Sequence, residues 1–383
     1  MVQPPSSHSA VVGRAGGAPV DRYAAAGVDT AAGDTAVELM KRSVAATHGP
    51  QVLGGVGGFA GLWDASALTG FRRPILATST DGVGTKIAIA QALGKHDTIG
   101  QDLVGMVVDD IVVVGATPLF MTDYIACGRV VPERIAAIVD GIARACAETG
   151  TALIGGETAE HPDLMAPDDY DVAGAAVGAV EADRLLGADR VRHGDVVLAL
   201  ASSGLHSNGY SLVRRIVRDA GLRLDTHIEE CGTSLGDALL EPTRLYTAPL
   251  LELLAGAYGE GVHAFGHVTG GGLAANLARV LPKGARVDLD RSTWTPTPVF
   301  QVLADLGGFP LADVEGAWNL GIGVFAVVDQ TVAAQAAEAL TAGGIRTWQA
   351  GVVLTGLGSE VDDVQGAKGV DGGAVRLVGA YAA

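Results

Sequence analysis

The stretch STDGVGTK, residues 79–86, follows the apolar run PILATS and has the makings of a phosphate loop. Gly82 and Gly84 give a pliable backbone, Thr85 a hydroxyl and Lys86 a cation. The spacing is not the Gly-x-x-x-x-Gly-Lys-Ser/Thr of a P-loop, and a carboxylate, Asp81, stands at the apex. Carboxylates and phosphates repel unless a cation lies between them. Mg2+ takes one or two carboxylates together with phosphate oxygens, so Asp81 reads as a metal ligand if other acids converge on it. Alone, it reads equally well as an Asp-Gly turn that bonds its own backbone.

Other acids and other loops are present. Asp109 and Asp110 lie in an apolar segment, where a carboxylate without a partner is costly to bury. Asp102, seven residues before Asp109 and on the same helical face, reads as solvated. GGETAEHPD (155–163) brings Glu157 and Glu160 after a strand. LGGVGGFAGLWD (53–64) carries Gly54, Gly55, Gly57 and Gly58, too many for the interior of a helix or strand. SSGLHSNGYSL (202–212) sets His206 and Asn208 among glycines at a strand-to-helix turn. TGGGL (269–273) places Gly270, Gly271 and Gly272 before another helix. Helix N-termini of this kind hold anions.

The elements that must position these groups are legible in outline. Helices are predicted over 27–44, capped by Asp34 or Thr35, over 96–118, ended by Pro118, and over 132–150, closed by Gly150. In the second of these, Ile99, Leu103, Val107 and Ile111 form a buried row. The charged, turn-rich stretch 181–194 reads as a domain boundary. It divides a flexible tail (1–20) and an N-terminal domain (21–185) from a C-terminal α/β domain (186–383). The fold class is α/β with α+β mixing. Regular βαβ alternation with G-x-G-x-x-G is missing, so a Rossmann fold is not predicted.

Composition narrows the function. At 383 residues two domains are expected. The 55 glycines cluster in loops. A net charge of −17 without a basic stripe argues against nucleic acid as a partner. Three scattered cysteines suit a reduced, cytoplasmic protein. No apolar run is long enough to span a membrane.

Ten strings occur in an order that resembles the phosphoribosylformylglycinamidine cyclo-ligase (aminoimidazole ribonucleotide synthetase) family. They are GVDTAAGD, LGGVGGFAGLWD, STDGVGTK, GKHDTIGQDLVGM, GGETAE, YDVAG, LASSGLHSNGYSLVR, LEPTRLY, HVTGGGLAANLARVLP and WNLGIGV, and they cover roughly residues 23–355. The resemblance implies a cytoplasmic homodimer with a barrel-like sheet between paired N-terminal domains. It implies ATP and Mg2+ as cofactors and formylglycinamidine ribonucleotide as substrate. ATP would activate the formyl amide oxygen, an amidine nitrogen would close the ring, and ADP and phosphate would leave. Asp81, Asp110 and Glu157 would serve the metal. Lys41 and the loop at Gly54–Gly58 would lie at the phosphates, and His206 would shuttle a proton or donate to an oxyanion. Asp109, where the family has Asn, and His161, where it has Met, are departures. The rivals are another ATP-using enzyme of the same superfamily, such as thiamine-monophosphate kinase, and a non-enzymatic nucleotide-binding dimer.

The Pro/Ser/Gly/Ala-rich first residues cannot bury enough apolar area to offset the entropy of ordering. Deletion of residues 1–18 is therefore expected to leave turnover and thermal midpoint nearly unchanged. A collapse of either would show the tail docked on the body.

Overall fold

The computed structural model describes residues 29–55, 57–356, 363–366 and 369–382. The expected tail, 1–20, lies outside them. The N-terminal half runs α1 (Thr30–Ala46), β1 (Val52–Leu53), β2 (Leu62–Trp63), β3 (Pro74–Gly82), α2 (Ile87–Leu93) and α3 (Ile99–Val112). It continues with β4 (Thr117–Cys127), α4 (Pro132–Thr149), β5 (Ala152–Glu160) and β6 (Tyr170–Glu181). The four long strands form one sheet in the order β3-β6-β4-β5, antiparallel except where β4 lies beside β5. Helices α3 and α4 pack against it. Met121, Ile125 and Cys127 of β4 are buried, whereas Tyr124 on the other face is exposed, as is Leu76 of β3 (62% exposed).

The C-terminal half runs β7 (Val196–Ala201), α5 (Tyr210–Asp219), β8 (His227–Ile228), β9 (Thr233–Ser234), α6 (Leu235–Leu240), α7 (Thr247–Ala255) and β10 (Val262–His267). Then come α8 (Gly272–Arg279), β11 (Ala285–Asp290), α9 (Pro298–Gly307), β12 (Ile322–Val328), α10 (Ala333–Ala342), β13 (Thr347–Thr355), β14 (Val364–Gln365) and β15 (Ala374–Val378). Seven strands make a sheet in the order β10-β12-β7-β13-β11-β15-β14. Strands β7 and β12 are apolar throughout, as strands covered on both faces must be. The architecture is the expected mixed α/β fold, with two large sheets and the short pairs β1-β2 and β8-β9.

Three local readings change. The N-cap of α1 is Asp29, whose carboxylate accepts from Ala32 N at 3.0 Å; Asp34 and Thr35 lie inside the helix. Helix α3 is shorter than expected. Gly115, at φ 85°, turns the chain before Pro118, which is already in β4. Asp102 is not solvated: like Asp109 it is fully buried.

Both acids face the C-terminal half. Asp102 Oδ1 accepts from Lys86 Nζ at 2.7 Å, Thr243 N at 2.8 Å and Thr243 Oγ1 at 2.7 Å. Two turns further along the same face, Asp109 accepts from Tyr246 N at 3.1 Å and Thr247 Oγ1 at 2.8 Å. Gly105 lies between them, and any Cβ there would stand 2.6 Å from the Thr243 methyl. The seven-residue spacing is thus the seam between the halves. Lys86 completes it by donating to the Glu241 carbonyl at 2.7 Å.

Removing one partner of a buried ion pair leaves a charge uncompensated, typically at a cost of about 3–5 kcal/mol. Lys86→Met is expected to destabilise by that amount in urea unfolding. Lys86→Met combined with Asp102→Leu should fall well short of the sum of the single losses. A Lys86→Met protein as stable as wild type would remove the seam from this account.

Candidate active site at the seam between the two sheets

Asp81 is the last residue but one of β3, on the face covered by α3. Its Oδ1 accepts from Gly82 N at 2.8 Å, so the local turn is formed. The same side chain has company. Asp110, one residue past the seam acid Asp109, projects from α3, and its Oδ1 meets His267 Nδ1 at 2.8 Å. The Asp110 side chain is 41% exposed, whereas His267, the last residue of β10, is buried. Burial disfavours the imidazolium of His267. The Asp110 hydrogen bond and the charges of Asp110, Asp109 and Asp81 outweigh it and raise the pKa above the ordinary histidine value. Asp109 is pushed up to about 6, chiefly by burial. His267 Nε2 is buried and has no hydrogen-bond partner among the described residues. Beside it opens a cavity of about 290 Å3, lined by Thr78, Ser79, Asp110, His267, Asn276 and Arg279 among others.

His206 lies close by but is no exposed loop residue. It is 1% exposed, at φ 58°, with its ring 6.1 Å from that of Tyr246. Its Nε2 accepts from Ser203 N at 3.3 Å, which leaves the proton on Nδ1, a buried atom without a partner. Burial first, then the positive charges of His267, Lys86 and Arg244, hold its pKa well below the ordinary histidine value. The ring is neutral, a hydrogen-bond donor or a base rather than an acid.

The remaining predicted residues do not all converge here. Lys86 is spent on the seam. Thr85 Oγ1 is 3.3 Å from Ser211 Oγ, and Gly84 has φ 70°. In the second loop, Gly272 N is bonded to Thr269 O and the adjacent Leu273 N to Glu315 O, so the Gly272 amide expected for phosphate is committed. Gly272 is there for space: a Cβ would meet Glu315 O at 1.8 Å. Gly270 lies near Asn208 Oδ1, and Gly271 stands at φ 109°.

Glu157 and the first glycine loop lie elsewhere. Asp81, Gly174, Asp123 and Gly156 share one register row across β3, β6, β4 and β5. Three strand spacings, about 14 Å, separate its ends. Glu157, one residue on, points to the opposite face of the pleat, so within one chain it does not join Asp81 and Asp110. Gly55, Gly57 and Gly58 line a separate cavity of about 540 Å3 with Val37, Met40 and Asp123. Gly54 opens that loop at φ 85°. Burial lifts the Asp123 carboxyl to about 7. Lys41 is exposed, 3.6 Å from Glu38 one turn back.

Sequence reading missed His267 and Asp123. His267 carries a usable signal, since it stands at a strand end one residue short of Thr-Gly-Gly-Gly, much as His206 sits in Ser-Gly-Leu-His. Asp123, inside a strand, carries none.

Two family models match the chain: AIR synthase related protein, N-terminal domain, over residues 64–180, and its C-terminal domain over 192–363. The chain is 48% identical over 338 residues to a phosphoribosylformylglycinamidine cyclo-ligase of Xanthomonas oryzae pv. oryzae, covering 88% of this chain and 98% of the relative. The protein of that name from Thermosynechococcus vestitus is 48% identical over 337 residues, covering 88% and 97%. Among solved structures, thiamine-monophosphate kinase from Stenotrophomonas maltophilia superposes with a TM-score of 0.61 at 19% identity, over 90% of this chain and 96% of that one. The hydrogenase maturation protein HypE of E. coli gives 0.60 at 18%, over 93% and 95%. These structures share the fold.

A histidine held neutral in the folded state takes up a proton on unfolding once the pH drops below its unfolded value of about 6.5. The His206 contribution is therefore whole above that pH and eroded below it, by up to about 1.4 kcal/mol per pH unit. Urea midpoints of wild type and His206→Asn, a residue that tolerates the positive φ, are expected to diverge in slope between pH 7.5 and 5.5, with wild type steeper. Equal slopes would mean that His206 is already protonated when folded.

Proposed function

The chain belongs to the phosphoribosylformylglycinamidine cyclo-ligase family, and on that premise we propose that the seam between its sheets is where the ligase chemistry occurs. The protein is an ATP-dependent ligase of purine biosynthesis. It converts formylglycinamidine ribonucleotide to aminoimidazole ribonucleotide with release of ADP and phosphate. The observation that carries the placement is that Asp110 and the half-satisfied His267 share one cavity edge, with Asp81 near enough for its charge to help raise the His267 pKa.

The donor set fits Mg2+: two carboxylates, one of them partly open to solvent, leave coordination positions for phosphate oxygens. Mg2+ held by Asp81 and Asp110 would offset the negative charge of the triphosphate and draw electron density from the phosphoryl group being transferred. His267 fixes the Asp110 carboxylate through Nδ1. Asp109 stays at the seam and keeps α3, and hence Asp110, in place. Neutral His206 offers Nδ1–H to an oxygen that gains charge as the ring closes, a donor role suited to its low pKa. The loop at Gly54–Gly58, with Lys41 on the neighbouring helix, would cover phosphates in the second cavity.

The two working units are placed at 21–185 and 186–383. The exposed face of the four-stranded sheet, with Leu76, Thr78, Thr80 and Tyr124 flanking Ala173, Ala175 and Val177, would close against a second copy as a homodimer. On this reading Glu157, which lies on that face, serves the dimer or the partner's site. No described helix is long and apolar enough to cross a membrane. The three free cysteines, Cys127, Cys146 and Cys231, suit the cytoplasm.

The activity is tested by ADP release and aminoimidazole formation from formylglycinamidine ribonucleotide and Mg-ATP. Phosphoryl transfer to thiamine monophosphate instead, or ATP turnover indifferent to the substrate, would overturn it. The placement is tested by Asp81→Asn, which keeps the shape and removes the charge. It is expected to reduce kcat/KM at least about 100-fold and to weaken Mg2+-dependent nucleotide binding. Adding Asp110→Asn should cost far less than the product of the single effects, because groups sharing one ion act as a unit. Strict additivity would separate the two carboxylates.

A further inference from the structure

A second cluster of ligand-type side chains lies at the other end of the seven-stranded sheet. Asp195 immediately precedes β7, His263 is the second residue of β10, and Asp329 immediately follows β12. Strand β12 is antiparallel to both of its neighbours, so all three residues fall at one end of adjacent strands. The loops that carry His206 and Gly270–Gly272 leave β7 and β10 at the opposite end. A six-residue strand puts roughly 17 Å between the two ends.

One ligand atom from each of Asp195, His263 and Asp329 lies within 4.8 Å of the others. His263 reaches this position through a bulge. Val262 pairs with Val328 and Ala264 with Val327, leaving His263 as the extra residue. Bulges re-aim side chains in this way. The backbones are fixed as well. Asp195 O accepts from Val353 N at 2.8 Å, His263 O from Gly187 N at 3.0 Å, and Asp329 N donates to Gly261 O at 2.8 Å.

The polar groups here are only half used. Asp195 is 3% exposed, and both of its side-chain bonds fall on Oδ2, from Arg192 N and from His263 Nδ1, each at 2.7 Å. Asp329 Oδ1 accepts from Thr331 N and Oγ1. Among the described residues, Asp195 Oδ1, Asp329 Oδ2 and His263 Nε2 have no hydrogen-bond partner. The nearby Arg192 guanidinium donates to the carbonyls of Asp189 and Val191. A deeply buried carboxylate with a vacant oxygen therefore faces a second carboxylate, and the imidazole between them supplies at most one positive charge.

We propose that Asp195, His263 and Asp329 form a binding site for a divalent first-row transition metal, separate from the carboxylates Asp81 and Asp110. One imidazole with two carboxylates is a donor set for Mn2+ or Zn2+ rather than for Mg2+ or Ca2+, which prefer oxygen alone. His263 Nδ1 is the nitrogen turned to Asp195, and an ion would take the place of the proton between them, the imidazole then carrying its hydrogen on Nε2. The role is structural. Asp195 ends the connector between the two sheets, and Gly187 of that connector is bonded to His263. An ion here would fasten the connector to three strands of the C-terminal sheet at once.

Thermal unfolding of the full chain in excess MnCl2, ZnCl2 or MgCl2 tests this, together with metal retained after dialysis. Wild type should gain roughly 3–6 °C with Mn2+ or Zn2+ relative to Mg2+ and retain one equivalent. The Asp81→Asn protein should show the same gain. Asp329→Asn, nearly isosteric and partly exposed, should lose both the gain and the retained equivalent while turnover with Mg-ATP stays within about twofold of wild type. His263→Ala should behave likewise; if it fails to fold, Asp329→Asn alone decides. A gain that survives in Asp329→Asn, one that disappears in Asp81→Asn, an equal response to Mg2+, or no gain in wild type would each overturn the proposal.

Discussion

Two carboxylates inside one helix hold this molecule in its working shape. Asp102 and Asp109 are fully buried, and both take their donors chiefly from residues 243–247 of the other half, all of those to Asp102 falling on Oδ1. A buried carboxylate without donors is expensive, so the N-terminal half can bury α3 only by closing onto that segment. Everything at the active site inherits its position from this closure. Asp110 is aimed at β10 because Asp109 is tied to Tyr246, and Asp81 is brought towards the Asp110–His267 pair because β3 packs under the same helix.

The site is consequently made of parts that do little alone. His267 is raised in pKa by three acids, and His206 is lowered by burial and three cations, within the same compact region. One imidazole is tuned towards its charged form and the other away from it. This division follows from which carboxylates lie alongside each ring. It lets one histidine serve electrostatically, through Asp110, while the other stays a neutral donor.

Much of this was legible in the sequence, and the misses share a cause. Asp81, Asp110, His206 and the glycine loops announce themselves through local composition. The row Ile99, Leu103, Val107 and Ile111 shows helical periodicity, and all four are buried. What could not be read were partnerships across long sequence separations. Asp102 looked solvated because its donors, Lys86 and Thr243, are 16 and 141 residues away. Lys86 looked like a phosphate ligand for the same reason. Glu157 looked like a neighbour of Asp81 because composition says nothing about which face of a pleat a residue occupies. Asp123 gave no signal, since a carboxylate within a strand is ordinarily a solvent-facing one.

The seam also sets a timetable for biosynthesis. Asp109 and Tyr246 are 137 residues apart, and a ribosome adding about 5–20 residues per second needs roughly 7–27 seconds to cover that distance. Throughout that interval the nascent N-terminal half owns a helix with two acids meant for a dry contact that does not yet exist. The half can collapse and form its sheet, but α3 must stay hydrated along one side until the later segment emerges. The final compaction of this protein is therefore a late, long-range event, and a release of the chain before residue 247 would leave a product with its most polar interior surface turned outward.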